Sequence, residues 1–234
     1  MLDTKFWRKY FEVYDILNVV IPYQELMKEL ISKLEIKGGD FILDAGSGTG
    51  NLAIMITKKG GRVIGIDFSE HGVGCHKKKD VGAEVICCDL TKSLPFQNNY
   101  FDKIVSNNVL YTISLEKRLD VVKEFYRVLK PSGKIVISNV REGWKPAIIY
   151  KDAIAKEYQK NGSIKTLIKI IKLIIPTLRM LYYNSKIKKE GAGGNYRFMK
   201  AGEQSALLSQ GGFNNISKEI SVYSDQALLV GGDK

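Results

Sequence analysis

The sequence predicts an α/β fold built on a doubly wound, mostly parallel β-sheet. Three observations indicate this fold. Apolar strand patterns alternate with helical patterns between residues 41 and 140, a glycine-rich turn joins the first strand to a helix, and three strands end at or near an aspartate. Parallel strands end at one edge of a sheet, where ligands bind in such folds. The chain of 234 residues is long enough for one such domain with an insertion.

The first strand and the turn after it have the sequence FILDAGSGTGNL, residues 41–52. Phe41–Leu43 is a short apolar run, typical of a strand buried on both faces. The three glycines of Asp44–Gly50 allow the backbone to approach a ligand closely, and a helix beginning near Asn51 directs N–H groups toward it. The spacing is GxGxG rather than the GxGxxG of dinucleotide sites. The turn alone therefore does not identify its ligand.

The remaining helices and strands are predicted from hydrophobic periodicity, helix-capping residues, and prolines and glycines that end an element. Before the turn, a helix with Pro22 in its first turn runs to about Leu34. After the turn, strands are predicted at 62–67, 83–89, 101–106 and 134–140, with helices near 69–79 and 115–130. Residues 141–200 read as helical and lysine-rich, and Pro176 is expected to kink or end this helix. A helix near 202–210 precedes strands at about 215–222 and 226–230, which predict a hairpin with an antiparallel closing strand.

Composition limits the classes of partner and location. The formal charge is +11, which favours anionic partners such as a membrane surface, nucleic acid or an acidic substrate. The N-terminal fifteen residues are charged throughout, and no run of about 18 uncharged apolar residues occurs, so we expect a cytoplasmic protein with no spanning helix. No metal-ligand spacing is found, so no metal site is predicted.

Five segments together resemble class I S-adenosylmethionine-dependent methyltransferases. They are Asp44–Gly50, Asp67 at the end of the second strand, Asp89 at the end of the third, Phe101–Leu110 and Phe125–Lys134. The order of these motifs is far more specific than any one of them. The resemblance implies a Rossmann-like sheet of seven strands, mostly parallel with an antiparallel C-terminal strand, and a helical cap insertion.

The resemblance also implies a site for S-adenosylmethionine. The glycine turn would hold the methionine part, Asp67 would accept from the ribose hydroxyls, and Asp89 from the adenine amino group. Taken singly, each of these two strand-end carboxylates is better explained as a solvated surface group, whereas the set of motifs favours the cofactor site. The cofactor-binding residues predicted in this way are Asp44, Gly46, Ser47, Gly48, Thr49, Gly50, Asp67, Phe68, Asp89, Leu90 and Asn107.

The chain is expected to form one methyltransferase domain, 1–234, with four parts. These are an N-terminal helical lid at 1–35, a cofactor-binding core at 36–140, a basic helical cap at 141–200, and a C-terminal helix and strand hairpin at 201–234. The lid follows from Tyr14–Asn18, which resembles the Tyr-Asp-x-x-Asn element of quinone-biosynthesis C-methyltransferases and their phospholipid-methylating relatives. In that group an N-terminal helix folds over the cofactor.

Three tyrosines are predicted to lie near the acceptor or in the lid: Tyr10, Tyr14 and Tyr111. For Tyr10 and Tyr14, simple packing of the first helix on the sheet is an equal alternative. Tyr111 is the candidate general base, if the acceptor must lose a proton before methyl transfer. His71 is a weaker candidate, because it and His76, the only histidines, are expected in exposed loops.

The acceptor is predicted to be small and lipophilic, a quinol precursor or a phospholipid amine. No Asn-Pro-Pro-Tyr/Phe follows the fourth strand, which counts against methylation of amide or adenine nitrogens. The segment 163–189 forms a basic amphipathic helix, suited to peripheral association with the inner face of an anionic membrane or, equally, to an ordinary cap. Nucleic acid is disfavoured, because the lysines alternate with aliphatic side chains rather than stacking aromatics. Two alternatives stay open: a methyltransferase for hydrophilic natural products acting on N, O or C, and a catalytically silent S-adenosylmethionine-binding accessory subunit.

Overall fold

The computed structural model describes residues 2–194 and 196–234, and its elements alternate as an α/β domain. The helices are α1 Thr4–Tyr14, α2 Ile21–Leu34, α3 Asn51–Thr57, α4 Glu70–Lys79, α5 Leu115–Val128, α6 Pro146–Ala192 and α7 Glu203–Gln210, with 3₁₀ turns at Asp15–Val19 and Leu110–Thr112. The strands are β1 Phe41–Ala45, β2 Arg62–Asp67, β3 Glu84–Cys87, β4 Phe101–Asn107, β5 Leu129–Val140, β6 Ile220–Val222 and β7 Ala227–Asp233. None of the described helices combines the length and apolarity needed to cross a bilayer.

The seven strands form one sheet in the order β3-β2-β1-β4-β5-β7-β6. The first five pair in parallel, and β7 runs antiparallel to both β5 and β6. The strand order reverses between β1 and β4, and such switch points are where open α/β sheets bind ligands. The Rossmann-like sheet expected from the sequence is therefore confirmed, including its antiparallel C-terminal strand.

The N-terminal helices, which we name the lid (residues 4–34), begin and end at residues suited to those positions. The Asp3 carboxylate accepts from the backbone N–H of Phe6 at 2.8 Å and caps α1. Pro22 lies in the first turn of α2, where its missing N–H has no helical partner to lose. Leu26, Met27, Leu30 and Leu34 lie on one face of α2 and are buried, and α2 packs against β4 and β5.

Several elements differ in their bounds from the sequence prediction, including β6, which begins at Ile220 rather than at about 215, and β3, which ends at Cys87 rather than at Asp89. Two of the differences have a clear physical cause. The strand β5 begins at Leu129, five residues early, because Leu129 pairs with Phe101 before a register shift leads to the pairing of Lys103 with Lys134. The long helix α6 continues through Pro176 and instead breaks at Gly162, where φ is 75° and ψ is 176°. This backbone region is open almost only to glycine. Pro176 is tolerated because its arm of the helix is largely exposed, so water can reach the carbonyl that it frees.

A buried arginine holds together the loop after β4 and the segment that follows α6. Arg118 in α5 is 1% exposed and donates to the carbonyl oxygens of Tyr111, Ile113 and Arg197 at 2.5–3.2 Å. Its Nη1 also lies 3.0 Å from the carboxylate of Glu203. These contacts join the loop after β4 to the segment that follows α6, so both are held by one side chain.

The change Arg118→Met should lower the free energy of unfolding by about 3–5 kcal/mol, because it leaves a largely buried carboxylate and several carbonyls without their donor. The adjacent Lys117→Met, whose ion pair with Asp120 is more than half exposed, should cost about 1 kcal/mol or less. Urea denaturation of both variants measures the difference. Equal effects would contradict the role assigned to Arg118.

Candidate functional site

A cavity of about 640 Å³ lies at the carboxyl ends of β1, β2 and β4. The lid covers one side of it, α6 another, and the loop after β4 a third. Side chains from at least four separate segments of the sequence therefore line a single space. This is the size and position expected of a small-molecule site in an α/β sheet.

The glycine turn forms the floor of the cavity, and its glycines are required by backbone conformation and packing. Gly46, Gly48 and Gly50 have φ of 84°, 52° and 81°, in the left-handed region. A Cβ on Gly46 would lie 2.1 Å from Val109, and one on Gly50 would lie 2.1 Å from the ring of His76. The turn is thus wedged between the loop after β4 and the helix α4.

Asp67 accepts hydrogen bonds through both carboxylate oxygens, one from the glycine turn and one from the start of α4. The backbone N–H of Gly48 donates to Oδ2 and that of Ser69 donates to Oδ1, each at 2.9 Å. These bonds orient the carboxylate at the cavity wall, with lone pairs left for ligand hydroxyls. Asp89 lies two residues beyond β3 and is exposed at the rim, where the N–H and hydroxyl of Thr91 donate to it.

Asp44 is buried, and one of its carboxylate oxygens has no hydrogen-bond partner among the described residues. Burial, together with the negative charge of Asp67, raises the pKa of Asp44 to about 7. Burial raises the pKa of Asp67 to about 6, although the donors on Ser69 and Gly48 counteract this. Among the described residues, Asp44 Oδ2, Ser47 Oγ, Asn107 Oδ1 and Asn108 Oδ1 are buried without a hydrogen-bond partner. A cationic, donor-rich ligand would satisfy such a group of acceptors.

Most residues predicted for the cofactor lie on the cavity wall. The structure brings together Asp44, Gly46, Ser47, Gly48, Asp67, Phe68, Asp89, Leu90 and Asn107. Thr49 and Gly50 do not line the cavity: the Thr49 hydroxyl bonds to Asp15 and Lys79, and Gly50 packs on His76. The prediction that His76 lies in an exposed loop is wrong. The residue belongs to α4, and its ring packs beneath the turn and is 1% exposed.

The lid side of the cavity is aromatic. Tyr10, Tyr14 and Tyr111, named from the sequence, all line it. Sequence reasoning did not assign further lining residues to the site: Trp7, Phe11, Tyr23, Trp144, Met180, Tyr196 and Tyr223. Trp7 and Phe11 share one face of α1 with Tyr10 and Tyr14, so helical periodicity could have found them. Nothing in a single sequence links the other five positions to α1, because only the packing of α2, α6 and the segment after β6 around the turn brings them together.

Comparison with known proteins agrees with this geometry. A family profile described as "Methyltransferase domain" matches residues 43–137, which run from β1 into β5. A demethylmenaquinone methyltransferase of Staphylococcus saprophyticus is 27% identical over 87% of this chain and 84% of its own. A SAM-dependent methyltransferase from Aquifex aeolicus matches in structure with a TM-score of 0.61 and 17% identity, over 100% of this chain and 99% of that one. Together the family profile, these relatives and the fold indicate an S-adenosylmethionine-dependent methyltransferase.

A second relative is more similar in sequence over a shorter alignment. The demethylmenaquinone methyltransferase of Lactobacillus johnsonii is 32% identical over 58% of this chain. The match spans 64% of that relative's length, which is less than two thirds. The similarity of this methyltransferase to its curated relatives therefore supports the class of enzyme, whereas the acceptor is a separate question.

The residues present fit S-adenosylmethionine as the cofactor of this methyltransferase. Its ammonium and sulfonium are cations, and the unpartnered acceptors of Asp44, Ser47 and Asn107 face the cavity. The Asp67 carboxylate is oriented at a strand end, as a pair of ribose hydroxyls requires. The separate role of each residue toward the cofactor remains a proposal.

The raised pKa of Asp44 predicts how the ligand-free protein responds to pH. Its folded pKa of about 7 exceeds its ordinary value, so its contribution to stability is present at low pH and is lost as pH rises toward and through about 7. The melting temperature of Asp44→Asn relative to wild type should therefore be higher at pH 8 than at pH 4.5. Scanning calorimetry without cofactor measures this, with the exposed Asp120→Asn as control. A difference independent of pH would show that Asp44 is not destabilised by its charge.

Proposed function

We propose that this methyltransferase transfers a methyl group to a ring carbon of a prenylated quinol precursor. The observation that carries the proposal is the composition of the acceptor side of the cavity, which is aromatic and apolar beside the cofactor carboxylates. The relatives described as demethylmenaquinone methyltransferases support the same class of acceptor. A flat aromatic ring suits such a wall through stacking and edge contacts.

The charges in the cavity favour a quinol over a phospholipid amine. The charged residues among the described lining positions are Asp44, Asp67 and Asp89, at the cofactor end, and Lys117. Lys117 is more than half exposed and faces Asp120 at 3.9 Å. A phosphate group would need buried cationic donors to replace its water, and one exposed lysine is a poor substitute. An uncharged ring carries no such cost.

The tyrosine hydroxyls are suited to donating hydrogen bonds to a ring oxygen. Burial raises the pKa of Tyr10 and Tyr111 above the ordinary range, and raises that of Tyr23 to about 12. All three hydroxyls therefore stay protonated near neutral pH. This weakens the case for Tyr111 as a general base and favours a role as donor.

Such donors would assist methylation of a ring carbon. When bound, S-adenosylmethionine supplies an electrophilic methyl group. An acceptor ring becomes more nucleophilic once its hydroxyl has lost its proton to water before binding, and protonated tyrosines stabilise the oxygen that then carries negative charge. After the methyl group has moved from sulfur to the ring carbon, the proton on that carbon leaves to water and the ring regains its aromaticity. The aromatic walls exclude water and hold the ring in line with the methyl carbon, a positioning effect worth up to about 7–11 kcal/mol.

The protein should methylate reduced demethylmenaquinone and leave phosphatidylethanolamine unmodified, because the cavity offers a ring site and no buried cation for phosphate. Mass spectrometry of the products after incubation with isotope-labelled S-adenosylmethionine measures this. Asp67→Ala should lose cofactor binding and turnover together, whereas Asp120→Ala should retain both.

Each open alternative predicts a different result in that assay. A methyltransferase for hydrophilic natural products would leave the quinol unmodified and label a water-soluble metabolite from a cell extract. A silent accessory subunit would bind S-adenosylmethionine in titration calorimetry and give no labelled product with any acceptor. Either outcome would reject the quinol proposal.

We further propose that the protein is cytoplasmic and associates peripherally, through residues 163–189, with the inner face of an anionic membrane. Twelve of the eighteen exposed large apolar side chains in the described residues belong to α6. Between Tyr158 and Leu178 only Thr166 is buried. Lys165 and Lys172 add exposed positive charge among the isoleucines, in a chain of net charge +11. Anionic headgroups and acyl chains complement this combination.

The break at Gly162 turns the helix α6 back on itself. Glu157 and Lys169 pair at 2.5 Å across it, although twelve residues of straight helix would separate them by about 18 Å. The two arms of α6 therefore fold back on each other. Lys156 pairs with Glu25 of α2, and Arg179 pairs with Glu12 of α1, which attaches both arms to the lid.

The protein should float with vesicles that contain phosphatidylglycerol at low salt, and less with zwitterionic vesicles or at high salt, because the lysines are screened. Ile171→Ser with Ile175→Ser removes two side chains that are 63% and 70% exposed, and should abolish flotation without affecting folding. Val81→Ser, at a 95% exposed apolar position away from α6, is the control. Loss of a dimer in analytical ultracentrifugation, with flotation unchanged, would assign the surface to a second copy of the chain instead.

A further inference from the structure

A set of five polar side chains joins the lid to the glycine turn, and we name it the clasp. Its members are Asp15, Asn18, Thr49, Asn51 and Lys79, from the 3₁₀ turn of the lid, the glycine turn with the start of α3, and the last residue of α4. The motif Tyr14–Asn18 supplies the two lid residues. Lys79 is the third of three consecutive lysines, and its sequence gives no sign of a special role.

Lys79 is the centre of the clasp. Its ammonium lies 2.9 Å from Asp15 Oδ1, 3.0 Å from Thr49 Oγ1 and 2.6 Å from Asn51 Oδ1. These three acceptors use the three donors of an ammonium group. The Thr49 hydroxyl also donates to Asp15 at 2.7 Å, and the Asn18 amide donates to Asn51 Oδ1 at 2.9 Å. The network therefore closes on itself, with each lid residue bonded to the turn.

The clasp lies beside the place where the lid covers the cofactor residues. Phe11 packs so closely on the turn that a Cβ on Gly48 would lie 3.2 Å from its ring. Trp7 and Tyr14 line the same cavity as Asp44. A cofactor bound to the carboxylates is thus covered by lid aromatics, whose anchor to the turn is the clasp.

We propose that Asp15, Asn18 and Lys79 are positioning residues that hold α1 of the lid closed over the cofactor, while α2 stays packed on the sheet, and that they set the rate at which cofactor and product exchange. The pair Asp15–Lys79 is suited to reversible opening because its side chains are 43% and 28% exposed. Ion pairs with this exposure are weak and sensitive to salt. The proposal does not depend on the acceptor, so it survives if the quinol assignment fails.

Stopped-flow fluorescence with S-adenosylhomocysteine tests the clasp, using Trp7 as the probe. Both tryptophans, Trp7 and Trp144, line the cavity, so Trp144→Phe provides a background with a single reporter. In this background Lys79→Met and Asp15→Asn should each raise the dissociation rate about two- to fivefold. Lys78→Met, which removes the same charge from the neighbouring exposed position, should leave the rate unchanged.

Two further measurements separate positioning from general stability. The rate effects of Lys79→Met and Asp15→Asn should not add in the double variant, because each removes the same contact. Raising the salt concentration should accelerate dissociation from wild type and have little effect on the double variant. Additive effects, equal salt responses, or a rate for Lys79→Met equal to that of Lys78→Met would each overturn the proposal.

Discussion

The structure depends on a backbone turn that leaves no room for side chains. Gly46 and Gly50 have positive φ, and a Cβ on either would collide with Val109 or His76. The loop after β4 and the helix α4 therefore rest directly on the turn, and Asp67 fixes it by accepting from Gly48. The floor of the cofactor cavity and the positions of its walls follow from this one arrangement.

The loop after β4 and the lid are each held in place by interactions of different strength. Arg118 holds the loop after β4 through buried bonds, which are costly to break. The clasp holds the lid through Asp15 and Lys79, which water reaches. A class I methyltransferase needs both properties, because the acceptor wall must be rigid during transfer while cofactor and product must exchange in each cycle.

Particular residues show how far the sequence could be interpreted. The bounds of β2 and the start of α4 next to Ser69 were predictable, because local periodicity and capping agree with the fold. The break in α6 was not predictable. Pro176 was the stronger local signal for a break, yet the break lies at Gly162, since the exposed arm of the helix tolerates a proline. His76 was expected in a loop, and only the packing of α4 beneath Gly50 shows why it is buried.

The sequence by itself determined the class of enzyme, because the glycine turn, Asp67 and Asp89 are consecutive local motifs whose order along the chain matches a parallel sheet. The tertiary structure decided what surrounds them. Lys79 reaches Asp15 across 64 residues of sequence, and Tyr223 meets the lid tyrosines from the other end of the chain. Such contacts depend on how helices pack against one sheet edge, which no local pattern encodes.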